Sequence, residues 1–187
     1  MIIKEFKKIR RLDLVDAKYN NWSRIYEYPA VLHEIQKFSK EANPKIHNTS
    51  WGWEGCHVMF KDDLNSFSSE CLHSDLKSST LPKTTVWNLT TPPLVEWKDS
   101  FDFVINISTV EEVNFDHLTI IKNLLYQVKP GGILAITFDL PGLQLEKIED
   151  FVQTKLQSFD DNITGTNSDQ PNNRYAHLTC GLLVIEK

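Results

Sequence analysis

Apolar and polar positions change period along this chain, and the changes mark its elements. From Phe101 to Phe138 two β-branched runs, FDFVINIS and ILAITF, enclose a segment in which Leu118, Ile121, Leu124, Leu125 and Val128 recur at spacings of three and four. That order predicts strand, helix, strand. The connection is too long for a hairpin and carries its own apolar stripe, so the two strands are expected to be parallel and joined by a right-handed crossover. Asp116 is placed to cap the helix, Lys129 to complement its carboxyl end, and Pro130 to stop it, while Gly131 and Gly132 suit a tight turn into the next strand.

The flanking pattern extends this unit in both directions. KIHNTS, ECLHSDL, TTVWNL and HLTCGLLVIEK have strand character. RIYEYPAVLHEIQKFSKEA predicts a helix with Pro29 in its first turn and Val31, Leu32, Ile35, Phe38 and Ala42 on one face. LQLEKIEDFVQTKL predicts another, with Leu145, Ile148, Phe151, Val152 and Leu156 facing the sheet, and the polar stretch between Ser158 and Asn173 is expected to be irregular. Residues 1–19 are expected to form a short amphipathic helix carrying Ile2, Ile3, Phe6 and Ile9. The expected organisation is a helical lead-in over residues 1–43 and an α/β domain over residues 44–187, together one compact unit.

Composition narrows the function classes. A chain of 187 residues with a net charge of −5 has the length of one domain and lacks the basic surplus of a protein that wraps nucleic acid. Its one basic cluster, Lys4, Lys7, Lys8, Arg10 and Arg11, is expected to be a solvated helix face. Cys56, Cys71 and Cys180 are odd in number and scattered, which predicts free thiols in a reducing compartment. His47, His57 and His73 do not combine with these cysteines at ligand spacing, so no metal site is expected. Only Met1, Ile2 and Ile3 precede the first charge, and no stretch is apolar enough to span a membrane, so a soluble cytoplasmic protein is expected.

Candidate chemistry follows from where a parallel sheet places its ligands, beyond the carboxyl ends of the strands. The turn after KIHNTS holds Gly52 and Gly55, where backbone could approach a ligand, and a helix beginning near Gly55 or Cys56 would offer free amides. Asp75, at the end of ECLHSDL, can accept two hydrogen bonds from a ribose diol. Trp51 and Trp53 stand one residue apart, so both cannot hide in one core face, and at least one is expected to line the crevice.

FDFVINISTVEEV followed by LLYQVKPGGILAITF resembles the fourth strand, crossover helix and fifth strand of class I S-adenosylmethionine-dependent methyltransferases. RIYEYPAVL also resembles a lead-in found ahead of some bacterial methyltransferase domains. The resemblance implies a Rossmann-like, doubly wound, mostly parallel seven-stranded sheet with helices on both faces and an antiparallel C-terminal strand. It implies S-adenosylmethionine as cofactor and a small-molecule acceptor such as a sugar or another metabolite. Carried over by position, Asn48, Ser50, Trp51, Gly52, Trp53, Glu54 and Gly55 stand where the family's Asp-x-Gly-x-Gly-x-Gly loop passes the cofactor's methionine part. Asp75 would hold the ribose, Asn88 would sit near the adenine, and Asn106 and Ser108 would border the methionine and the substrate.

The loop also departs from the family, since only Gly52 keeps its place, Gly55 comes one residue late, and Ser50 and Glu54 carry side chains where glycine is usual. Glu54 could pair with the cofactor's ammonium group and an indole face could hold a sulfonium. Methyl transfer needs in-line placement and, for many acceptors, one general base, for which Glu112, Glu111 and His117 are the candidates. The alternative is a domain that kept the fold, lost the activity and serves as a binding or regulatory protein. A homodimer is one way to complete the site, because so short a chain shows no obvious lid.

Overall fold

The structure, a computed structural model, describes residues 1–9, 16–19, 23–50, 57–77, 84–140, 142–156 and 179–187. Seven strands form one sheet: β1 (Ile2–Lys8), β2 (Ile46–Asn48), β3 (Cys71–Asp75), β4 (Thr84–Val86), β5 (Phe101–Ile107), β6 (Val128–Leu140) and β7 (Thr179–Glu186). Among the described residues four α-helices accompany them, α1 (Arg24–Phe38), α2 (His57–Phe67), α3 (His117–Gln127) and α4 (Leu145–Val152). The strand order is β1-β7-β6-β5-β2-β3-β4. β2 to β6 pair in parallel, and β7 runs antiparallel to both β6 and β1. This is the doubly wound α/β arrangement expected from the sequence, with the C-terminal strand reversed.

Strand alternation sorts the core into two layers. Phe103, Ile105 and Ile107 of β5, Ile133 and Ala135 of β6, and Leu182 and Val184 of β7 pack with Val31 and Ile35 of α1 and Phe60 and Leu64 of α2. Their neighbours Val104, Leu134, Ile136, Phe138, Leu183 and Ile185 face the other way, onto Ile120, Ile121, Leu124 and Leu125 of α3 and Ile148 and Val152 of α4. Burying each such side chain contributes about 1.5–3 kcal/mol, so the central strands are held from both sides. The crossover unit takes the predicted form. Asp116 caps α3 by accepting a hydrogen bond from the Thr119 amide (3.0 Å), and Gly131 adopts φ 75° early in β6, a conformation side chains disfavour.

The N-terminal segment differs from the sequence expectation. Ile2–Lys8 is a strand, not a helix, and pairs along β7 from Ile2↔Glu186 to Lys8↔Gly181. Its apolar residues Ile3 and Phe6 serve a helical or an extended pattern equally well over so short a run, and the open edge of β7 decides between them. Phe6 stacks on Phe138 with ring centroids 6.1 Å apart, and Gly181 makes room, since a Cβ there would come within 2.5 Å of the Phe138 ring. Of the basic residues expected on a helix face, Lys4, Lys7 and Lys8 lie along this strand, and Arg10 and Arg11 lie outside the described residues. Lys4 pairs with Glu186 (2.6 Å), and Lys7 donates to the buried Glu34 of α1 (3.3 Å), so the strand is tied to its neighbours on two sides.

Candidate functional site

The carboxyl ends of the parallel strands converge on two clusters of polar side chains. The first joins the ends of β2 and β5. The Thr49 hydroxyl donates to the Ile105 carbonyl (2.8 Å) and accepts from Asn106 Nδ2 (3.0 Å), while the Ile107 amide donates to Ser50 Oγ (2.7 Å). Ser50 therefore turns its hydroxyl back into the sheet, where it completes strand pairing. Two polar atoms here are left over. Asn48 Nδ2 and Asn106 Oδ1 are buried with no hydrogen-bond partner among the described residues, although Asn48 is 1% exposed and Asn106 0%. An unsatisfied buried amide costs about 1–3 kcal/mol, and a ligand bearing a donor and an acceptor would relieve both.

The remaining cofactor candidates are distributed along the same edge. Asp75 ends β3 and accepts from the Lys77 amide (3.3 Å). Asn88 follows β4, exposed, with its Oδ1 taken up by the Thr90 amide (3.0 Å) and hydroxyl (2.9 Å) in a local turn. Trp51, Gly52, Trp53, Glu54 and Gly55 lie outside the described residues. Ser108 directly follows β5 at φ 38°, a left-handed conformation rare for a residue with a side chain.

Ser108 leads to the second cluster, which sequence reasoning mostly missed. The alternation that turns Ile133 and Ala135 of β6 toward α1 also turns Thr137 and Asp139 that way. There they meet Glu27, which is fully buried on α1. Ser23 Oγ donates to Glu27 (2.6 Å), as do the Arg24 guanidinium and the Ser108 hydroxyl, and the Ser108 amide donates to the Thr137 carbonyl (3.0 Å). Burial pushes the Glu27 carboxyl upward, but Arg24 and the hydroxyls of Ser108, Ser23 and Thr137 outweigh it and hold it below the usual range.

The three candidate bases fall in different places. Glu111 Oε1 accepts from the Asp139 amide (2.7 Å), and its Oε2 is buried with no partner among the described residues. Burial, reinforced by the negative Glu27 and Asp139, raises its carboxyl to about 8. Burial and Glu27 likewise raise Asp139, whose Oδ1 accepts from the Cys180 thiol (3.3 Å). Glu112 is exposed. His117 is buried at the start of α3, where Nδ1 accepts from the Gln144 amide (3.2 Å), a link between the crossover helix and the segment leading to α4. Glu27 had one detectable signal, since it falls four residues before Val31 and eight before Ile35 on the apolar stripe, with Arg24 one turn earlier.

His47, by contrast, belongs to the core. Its Nδ1 donates to Gln127 Oε1 (2.6 Å), its Nε2 accepts from Ser74 Oγ (2.8 Å), and Trp97 packs against its ring at 4.7 Å between centroids. Burial lowers its pKa to about 3. Among the described residues no group of His, Cys, Asp or Glu could hold a metal ion, and no helix is long and apolar enough to cross a membrane.

No protein-family model matches this chain, and no curated protein matches its sequence. Solved structures do resemble it. The CMeT domain of the citrinin polyketide synthase aligns with 78% of this chain and 47% of its own at 16% identity and a TM-score of 0.53. The CurJ carbon methyltransferase aligns with 95% of this chain and 57% of its own at 12% identity and a TM-score of 0.53. The trans-methyltransferase CalH, solved in complex with SAH, aligns with 84% of this chain and 54% of its own at 12% identity and a TM-score of 0.50. The chain spans about half the length of these proteins. At such identities the likeness is one of fold, and the fold is that of class I methyltransferases.

Proposed function

We propose that this protein is an S-adenosylmethionine-dependent methyltransferase that transfers a methyl group to a small-molecule acceptor. The observation that carries this reading is the pair of unsatisfied buried amide atoms, Asn48 Nδ2 and Asn106 Oδ1, at the strand ends where such a sheet receives its ligand. Asn48, Ser50 and the turn through Trp51, Gly52, Trp53, Glu54 and Gly55 would border the methionine part of the cofactor, Asp75 its ribose, Asn88 its adenine, and Asn106 and Ser108 the side facing the acceptor. When bound, the cofactor would supply an electrophilic methyl group on its sulfonium. The protein's own work is placement and proton removal. Of the three candidate bases, Glu111 suits that role best, because its carboxyl, raised to about 8, would exchange a proton near neutral pH, and its Oε2 has no partner among the described residues.

A second reading follows from Ser50, whose side chain fills a glycine position and closes the gap between β2 and β5. On that reading the domain binds a ligand or partner without transferring a methyl group. Titration calorimetry with S-adenosylmethionine and S-adenosylhomocysteine separates the readings. Heat saturating at micromolar ligand is expected, and no heat at millimolar concentrations would exclude the methyltransferase.

A further inference from the structure

We propose that Glu111 and Asp139 form a binding site for a protonated amine, so that the acceptor reaches this protein as a primary or secondary ammonium ion. The proposal rests on the methyltransferase reading for the word acceptor, but the site itself stands on its own geometry.

The carboxyl groups of Glu27, Glu111 and Asp139 lie near one another at the carboxyl ends of β5 and β6, and one Glu111 oxygen is left without a donor among the described residues. Glu27 has the Arg24 guanidinium and the hydroxyls of Ser23 and Ser108. Glu111 has one backbone donor, the Asp139 amide, on Oε1. Its Oε2 is buried, without a donor among the described residues, on a side chain that keeps some exposure. Asp139 receives a thiol, a weak donor. The charged groups facing the pair are Glu27 on α1, Glu112 on the turn after β5, and Arg24, which is already engaged by Glu27. Cys180 on β7 stays a thiol, since burial and the same carboxylates raise it.

Such a site is short of one cation. A neutral acceptor would leave Asp139 and Glu27 in mutual repulsion, and an acidic acceptor would add to it. An ammonium supplies a donor to Glu111 Oε2, which has none among the described residues, and to Asp139 a stronger donor than the Cys180 thiol, and its charge offsets theirs. The packing also holds the carboxyl in place. A Cβ at Gly142 would come within 2.6 Å of Glu111 Cβ, so the chain after β6 presses directly on the Glu111 side chain.

The proton balance gives the test. In the empty protein at pH 7 Glu111 is mostly protonated, because its carboxyl titrates at about 8. Binding of an ammonium favours the carboxylate, so the Glu111 proton leaves to solvent while the amine keeps its own. Calorimetry with n-butylamine in two buffers of different ionisation enthalpy, on protein saturated with S-adenosylhomocysteine, reads that proton directly. Close to one proton released per amine at pH 7 is expected, falling to near none at pH 9, where Glu111 is already ionised.

Glu111→Gln should abolish the proton release and weaken n-butylamine at least tenfold, while Glu96→Gln, a change at an exposed surface residue, should leave both intact. Asp139→Asn serves as the second variant, and thermal unfolding confirms that each variant is folded. Tighter binding of n-butanol or butyrate than of n-butylamine, or amine binding with no proton released at pH 7, would overturn the proposal. If S-adenosylhomocysteine does not bind but n-butylamine still releases a proton, the amine site stands and the methyltransferase reading falls.

Discussion

Single residues show how burial sets opposite pH dependences within one fold. Burial keeps His47 neutral in the core and lowers its pKa to about 3, from 6.5 when exposed. The unfolded chain therefore takes up a proton that the folded chain refuses, and the stability His47 contributes above pH 6.5 is lost as pH falls toward 3, on the order of 4 to 5 kcal/mol. Urea unfolding across that window should show the decline, and a His47 resonance titrating near 6.5 in the folded protein would contradict it. Glu111 works in the other sense. Its carboxyl is raised from 4.5 to about 8, so its contribution is present below 4.5 and fades as pH rises through 8. At the ligand edge, Asp75→Ala should weaken cofactor binding by about 1–3 kcal/mol if Asp75 bonds the ribose, and unchanged affinity in the same calorimetry would remove it from the site. Residues of this kind were unequally legible. Asp116 could be assigned as a cap because capping is local, whereas Glu27 is defined by Ser108, far along the chain, and only its place on an apolar stripe hinted at its burial.

Among elements, legibility followed length and the number of partners. The crossover unit of β5, α3 and β6 carries its periodicity, cap and stop signal within one stretch, so its pattern sufficed. β1 could not be assigned in that way. Ile3 and Phe6, three apart, fit one helix turn as readily as a strand, and what selects the strand is the hydrogen-bonding edge of β7 at the other end of the sequence. The same dependence makes β1 a sensitive element. Phe6 is 1% exposed and stacks on Phe138, so Phe6→Ala should cost about 3–5 kcal/mol in chemical denaturation, and a loss below 1 kcal/mol would mean that β1 contributes little to the folded sheet.

For the whole molecule, the fold was legible and the function less so, because the fold depends on patterns that many sequences share while the site depends on a few positions. The two orphaned amides mark where binding energy is in reserve. A ligand that bonds them binds only the folded state, so S-adenosylhomocysteine at a hundred times its dissociation constant should add about 2.7 kcal/mol to the unfolding free energy. A melting temperature that does not rise with ligand concentration would argue against the site. The pairing of β1 with β7 has a further meaning during synthesis. Ile2 lies opposite Glu186, so β1 has no partner in this sheet until β7, far along the chain, has left the ribosome. Through that interval Ile3 and Phe6 remain unburied, and the nascent chain carries an apolar strand that other chains or a chaperone can reach before its own β7 does.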